Sequence, residues 1–162
     1  MDKTHAQKFE LKNKTLFFDR EKLVLLCASS DDGKNIWAKK MPDIADVVQI
    51  IEDEKNYYLS CEYAEASGYC LAVDKANGSS LWYIPGRPFF NVVFEGFLYL
   101  IFIDEKDFYY LIKVERTDGS KVWFHRIAPD LAEYSFRNDR ILLVYASGTE
   151  EKLSPQTGLP LR

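Results

Sequence analysis

A six-residue phrase recurs along this chain and limits what it can fold into. It appears as Asp32-Gly33-Lys34-Asn35-Ile36-Trp37, as Asn77-Gly78-Ser79-Ser80-Leu81-Trp82 and as Asp118-Gly119-Ser120-Lys121-Val122-Trp123. A weakened copy, Thr157-Gly158-Leu159-Pro160-Leu161-Arg162, closes the sequence. Successive glycines are 45, 41 and 39 residues apart. Each phrase reads as a tight turn whose Gly supplies a positive φ, followed by a strand with a large apolar anchor. A period near 40 residues with a strand-forming anchor predicts one small sheet per repeat, the pattern of a β-propeller array.

Between the phrases, apolar residues come in blocks of five to eight bounded by Gly, Asp, Asn or Pro, and the blocks are rich in Val, Ile, Phe and Tyr. The segment from Ile44 to Glu54 is the one rival, since Ile44, Val47, Val48 and Ile51 also fit helical spacing. The repeat frame requires a strand there. On that frame the chain is a single repeat domain over 1–162, with units at about 5–41, 44–86, 88–128 and 131–162, each of four strands. The first unit's strands are expected near 7–11, 15–19, 22–28 and 35–40. Those of the second are expected at 46–52, 56–63, 68–74 and 79–84, and of the third at 89–94, 97–103, 108–115 and 121–127. The fourth unit has 133–136, 140–146, 150–154 and a stub at 159–161. The second strand of each unit is continuously apolar, as in Phe97-Leu98-Tyr99-Leu100-Ile101-Phe102, so both of its faces are covered.

Composition agrees with sheet. Aromatic residues make up 15% of the chain, and such side chains suit a pleated, half-buried surface. The formal charge of −4 comes without any Lys/Arg stripe, so no nucleic-acid partner is expected. The longest apolar run, Phe97 to Ile103, is far shorter than the roughly 20 residues of a membrane-spanning helix, and no membrane association is expected. Met1 to Lys8 holds no apolar run, so the expected location is the cytoplasm, or the periplasm for a chain that has shed a leader. Three cysteines, Cys27, Cys61 and Cys70, read as buried free thiols. Cys61 and Cys70 stand where a hairpin would bring them across from each other, so a disulfide between them is the alternative.

Four residues before each glycine stands a short polar or acidic residue, Ser29, Asp74, Glu115 or Ser154, preceded by Ala28, Val73, Val114 or Leu153. The composite, best seen in Leu71-Ala72-Val73-Asp74-Lys75-Ala76-Asn77-Gly78-Ser79-Ser80-Leu81-Trp82, resembles the tryptophan-docking repeat of the PQQ-like, or quinoprotein alcohol dehydrogenase-like, β-propellers. The resemblance implies that Trp37, Trp82 and Trp123 pack between adjacent blades. It implies too that Asp74, Glu115 and the turn glycines Gly33, Gly78, Gly119 and Gly158 tie each repeat to its neighbour. Two departures follow from the residues. The fourth unit has Arg162 where the others have Trp, and about four blades are present where the family usually has seven or eight. Two arrangements would cover the terminal blades: a closed small ring of four, or an eight-bladed ring completed by homodimerisation.

No catalytic constellation emerges. His5 and His125 are the only histidines, and neither has metal-ligand spacing. The acidic runs Glu52-Asp53-Glu54 and Asp104-Glu105-Lys106-Asp107 lack the alternation of a calcium loop and read as solvated turns. Adjacent cysteines, phosphate-cradling glycine motifs and nucleophile elbows are absent, so no cofactor, metal or quinone chemistry is expected.

The expected role is therefore a non-enzymatic interaction module that binds a protein or peptide, an inhibitor or immunity-type protein being one form of it. The alternative is a small-molecule or metal-binding propeller, or a degenerate quinoprotein-type domain. Candidate interface residues are Arg87, Phe89 and Phe90, on the stiff Pro85-Gly86-Arg87-Pro88 connection, because Arg and aromatics concentrate at interface hot spots. Tyr57, Tyr63, Tyr83, Tyr109 and Tyr134 lie near strand ends, where some would line one rim.

Overall fold

The computed structural model describes residues 6–42, 46–63 and 67–162; His5 and Ile44, singled out above, lie outside them. All regular structure in the described residues is β-strand. Two compact units divide the chain, Met1–Pro88 and Phe89–Arg162.

The first unit holds two four-stranded antiparallel sheets. One is formed by β1 (Gln7–Glu10), β2 (Lys14–Asp19), β3 (Val24–Ser29) and β4 (Asn35–Lys40), in that order. The other is formed by β5 (Asp46–Glu52), β6 (Asn56–Glu62), β7 (Gly68–Asp74) and β8 (Ser80–Pro85). Within the segment that also fitted helical spacing, Asp46–Glu52 is strand β5. From Phe89 on in the second unit, β9 (Arg87–Phe94), β10 (Phe97–Ile103), β11 (Tyr109–Glu115) and β12 (Lys121–Ile127) form a third sheet of the same order. The last sheet has three strands, β13 (Leu131–Phe136), β14 (Ile141–Tyr145) and β15 (Glu150–Leu153).

That last sheet has the stub expected at 159–161 in place of a full fourth strand. Its fourth position shrinks to one bridge, Leu153 to Pro160, plus the bond from Leu161 N to Lys152 O at 2.7 Å. Pro160 is tolerated there because the flanking bonds, Ser154 N to Leu159 O and Leu161 N to Lys152 O, leave its nitrogen facing away from β15.

The turn before each outermost strand is built four times alike. The N–H of Gly33, Gly78, Gly119 and Gly158 donates to the carbonyl of Ser29, Asp74, Glu115 and Ser154 respectively, at 2.8–3.0 Å. The same four residues donate their own N–H to Lys34, Ser79, Ser120 and Leu159. The residue before each glycine caps the turn with its side chain: Asp32, Asn77, Asp118 and Thr157 accept from the backbone N–H two residues on. The glycines sit at φ of +68° to +76°, a region L side chains avoid. Beyond each complete turn a bulge shifts the register, between Cys27 and Ala28, Ala72 and Val73, and Lys113 and Val114. The bulge sets Cys27, Ala72 and Lys113 opposite Trp37, Trp82 and Trp123.

Each unit joins its two sheets through an indole. Trp37, on the first sheet, lies over the turn of the second, and its Nε1 donates to Lys75 O at 2.8 Å. A Cβ placed on Gly78 would fall 2.6 Å from the Trp37 ring. Trp123 repeats this in the second unit, donating to Pro155 O at 3.0 Å, with its ring 2.5 Å from a Cβ on Gly158. Trp82 is buried and contacts the Tyr58 ring of its own sheet at 5.9 Å. Apolar side chains fill the rest of each junction. In the first unit Leu16, Phe18, Leu25, Val47, Tyr57, Leu59 and Leu71 form one core, and in the second Tyr99, Ile101, Leu111, Ile141, Leu143 and Leu153 form another. The Gln7 side chain adds a polar tie in the first unit, exchanging two hydrogen bonds of 3.2 Å with the Val47 backbone.

Gly78 therefore answers two demands, a left-handed backbone and an absent Cβ. Gly78→Ala should lower unfolding free energy by about 2–4 kcal/mol, combining left-handed strain with overpacking against the indole. Gly148→Ala, at φ +84° with open space around it, should cost about 1–2 kcal/mol. Urea midpoints at constant m-value decide; equal losses would remove the indole from the account.

Candidate functional site

The turns commit one face of each outermost strand to the interior and leave the other bare. Along β8 the residues alternate, with Trp82 and Ile84 buried and Leu81 and Tyr83 exposed. Along β12, Trp123 is buried while Val122 and Phe124 are exposed. Both strands end their sheets, so each presents a row of backbone groups beside its exposed apolar side chains.

Behind Tyr83 lies a groove of about 420 Å³ lined by Pro42, Tyr63, Tyr69, Leu71, Leu81 and Tyr83 among others. Its wall is a chain of edge-to-face rings, Tyr63 to Tyr69 at 5.7 Å and Tyr69 to Tyr83 at 6.3 Å. Leu71 stands directly across from Tyr83 in the β7–β8 ladder. The second unit repeats the arrangement: Phe102 stacks on Tyr110 at 5.4 Å and Tyr110 meets Phe124 at 6.0 Å, with Ile112 across from Phe124. That groove, of about 290 Å³, carries Asp104 and Lys121 as well.

The sequence-derived candidates are dispersed. Arg87 donates from Nε to Glu62 Oε1 at 3.2 Å, half-exposed on the first residue of β9. Phe89 is 67% exposed and meets the Tyr109 ring edge-on at 6.5 Å. Phe90 lies on β9, and its side chain is outside the described part. Of the five tyrosines, Tyr63, Tyr83 and Tyr134 are exposed, Tyr109 is partly buried and Tyr57 is in the core. Tyr69, Leu71, Leu81, Phe102, Tyr110 and Phe124 were not singled out. Leu81 and Phe124 had a signal, an apolar residue three or five positions after the turn glycine, whereas Tyr69, Leu71, Phe102 and Tyr110 are placed beside them only by the strand register.

His125 Nε2 lies 2.8 Å from Glu151 Oε2, and the other oxygen of Glu151 accepts from the Tyr145 hydroxyl at 2.5 Å. These bonds join β12 to the neighbouring sheet, which accounts for a histidine on that strand. The acidic run at Asp104 is a turn: its Oδ1 accepts from the N–H of Lys106 and of Phe108. Among the described residues no group of three His, Cys, Asp or Glu gathers to hold a metal.

All three cysteines are free and buried. Ser60 pairs with Cys70 and Cys61 with Tyr69, so the two cysteines occupy neighbouring ladder positions and point to opposite faces of the sheet. That excludes the Cys61–Cys70 disulfide alternative. Burial pushes the Cys61 thiol from 9.0 up to about 12, and the Tyr69 hydroxyl beside it lowers it only in part. Burial likewise raises the Cys70 thiol and the hydroxyls of Tyr57, Tyr69 and Tyr145.

No family model and no curated protein matches the sequence. Solved structures do. BamB from Moraxella catarrhalis aligns with 100% of this chain and 48% of its own, at a TM-score of 0.65 and 15% identity. A europium-containing methanol dehydrogenase aligns with 96% of this chain and 40% of its own, at 0.72 and 11%. The quinohemoprotein alcohol dehydrogenase from Comamonas testosteroni aligns with 96% and 34%, at 0.65 and 12%. This chain thus spans half or less of each of these proteins. They are PQQ-like β-propellers, and the chain shares their fold.

Two measurements follow from the buried thiols. At about pH 8 the folded protein should give no fast reaction with a thiol reagent, and all three cysteines should react once it is unfolded. Because the folded Cys61 holds its proton up to about 12 while the unfolded thiol loses it near 9.0, stability is full below pH 9 and falls as pH rises through that window. Cys61→Ala should flatten the slope of urea midpoint against pH above about 9.

Proposed function

We propose that this chain is a non-enzymatic module that binds an extended segment of a partner protein along the outer edge of its blades. The groove beside β8 carries the proposal: an edge strand with unpaired backbone groups runs next to three edge-to-face tyrosines and an exposed Leu81. A segment that adds itself as the next strand gains main-chain hydrogen bonds, and its alternate side chains enter the groove. The occupant that fits is a β-strand peptide with apolar or aromatic residues at alternate positions, since the groove behind β8 is lined without a charged side chain.

The related groove on the second unit supports the same reading, because aromatic surface is maintained at one repeat position in two blades whose sequences otherwise differ. Exposed rings of this size are costly to keep in water and typical of contact surfaces. The dehydrogenase names among the structural neighbours bear on the fold alone at 11–12% identity.

Peptides selected from a displayed random library against the whole chain test this. They should read as alternating apolar strands, and Tyr83→Glu should weaken them about tenfold or more without moving the melting temperature. Selected peptides that bind Tyr83→Glu and Phe124→Glu as tightly as the original chain would refute it.

A further inference from the structure

In each unit a cleft is lined by the turn residue whose carbonyl accepts from the indole, Lys75 or Pro155, and the two clefts differ in charge. In the first unit the cleft, about 490 Å³, balances its own ions. Lys75 Nζ is paired with Glu52, whose other oxygen accepts from Lys12 N, and the residue facing Trp37 is the neutral Cys27. In the second unit three of those positions have changed. Lys113 takes the place of Cys27 opposite Trp123. Phe136 ends β13 where Glu52 ends β5, and Pro155 follows the turn's first residue where Lys75 does.

The result is a buried ammonium that makes no ion pair among the described residues. Lys113 is 7% exposed, and its Nζ donates to Pro155 O at 2.8 Å and sits 3.9 Å from the centre of the Phe97 ring and 5.8 Å from that of Tyr99. No carboxylate of the described residues forms an ion pair with it. Glu115 acts only through its field, and Glu95 stands at the lining of the cleft. One carbonyl and two ring faces leave N–H capacity unused on a charge whose burial is expensive. The cleft it lines, about 560 Å³, is otherwise apolar on one side, with Phe94, Phe97 and Val122, and carries the amides of Asn138 and Gln156 on the other. The Gln156 carbonyl already accepts from Ser154 Oγ, which turns its NH2 into the available end.

We propose that this cleft binds a small organic monocarboxylate, its carboxylate on Lys113 and the amide donors, its apolar or aromatic body against Phe94, Phe97 and Val122. The bound carboxylate stands where Glu52 serves the first unit. Charge-assisted hydrogen bonds to an ammonium in a partly dehydrated cleft are among the stronger polar contacts available to a small ligand. Burial pushes the Lys113 amine below its ordinary value, and a carboxylate at this position would relieve that cost.

Titration of the whole chain with phenylacetate and with its neutral analogue phenylacetamide, followed by tryptophan fluorescence, provides the test. Phenylacetate should bind saturably and about tenfold or more tightly than the amide, and Lys113→Met should abolish that preference. Phe136→Glu, which supplies the missing carboxylate from within, should weaken phenylacetate about tenfold while the circular dichroism stays that of the parent, so the idea remains testable if Lys113→Met fails to fold. Equal binding of the two probes, saturable binding by neither, or undiminished phenylacetate binding by Phe136→Glu would overturn it.

Discussion

The architecture depends on an indole laid over a glycine that belongs to the next repeat. Trp37 on Gly78 and Trp123 on Gly158 each combine a ring that fills the junction with an N–H that satisfies a turn carbonyl. Dispersion and burial alone would let a large side chain settle in several orientations. The hydrogen bond to Lys75 O or Pro155 O selects one, and the missing Cβ lets the ring approach to van der Waals distance. Turn geometry, bulge position and ladder register all serve that placement. The bulge after Cys27 or Lys113 decides which residue lies beneath the ring, and the capped turn decides where its carbonyl points.

Much of this was legible in the residues. Glycine with Asp or Asn before it and an indole four residues later specifies turn and strand through local chemistry alone. Strands such as Asp46–Glu52, Gly68–Asp74, Phe97–Ile103 and Lys121–Ile127 lie where the blocks of apolar residues put them. The thin fourth strand of the last sheet was legible too, since Leu159-Pro160-Leu161 offers no more than a stub. Lys113 was not legible at all. A lysine in an alternating strand reads as the solvent side, and only the partner sheet's turn, 42 residues away, supplies the carbonyl that draws it inward. The same holds for His125 and Glu151, which meet across 26 residues. The aromatic chains Tyr63–Tyr69–Tyr83 and Phe102–Tyr110–Phe124 required the register of three strands to be known at once.

The repeats share a frame and differ in what they display. Residues that meet the neighbouring turn are held to Gly and Trp, whereas the position facing the indole holds Cys27, Ala72 or Lys113, residues with little in common. The outward positions of the last strands vary likewise, from Ala38 in the first sheet to Tyr83 and Phe124 in the second and third. A scaffold that fixes its joints and frees these two positions can acquire grooves and clefts without disturbing its fold, which is how function is commonly grafted onto shared architectures.

The offset from turn glycine to indole is four residues in each complete repeat, although the glycines themselves are 45, 41 and 39 apart. One extra residue between Gly33 and Trp37 would swing the ring to the wrong side of its strand, since side chains alternate with a period of two. Slack in chain length falls instead on the other connections, such as the two residues between Phe94 and Phe97 against the four between Phe136 and Ile141. Those connections are where such a molecule has licence to lengthen, shorten and diverge.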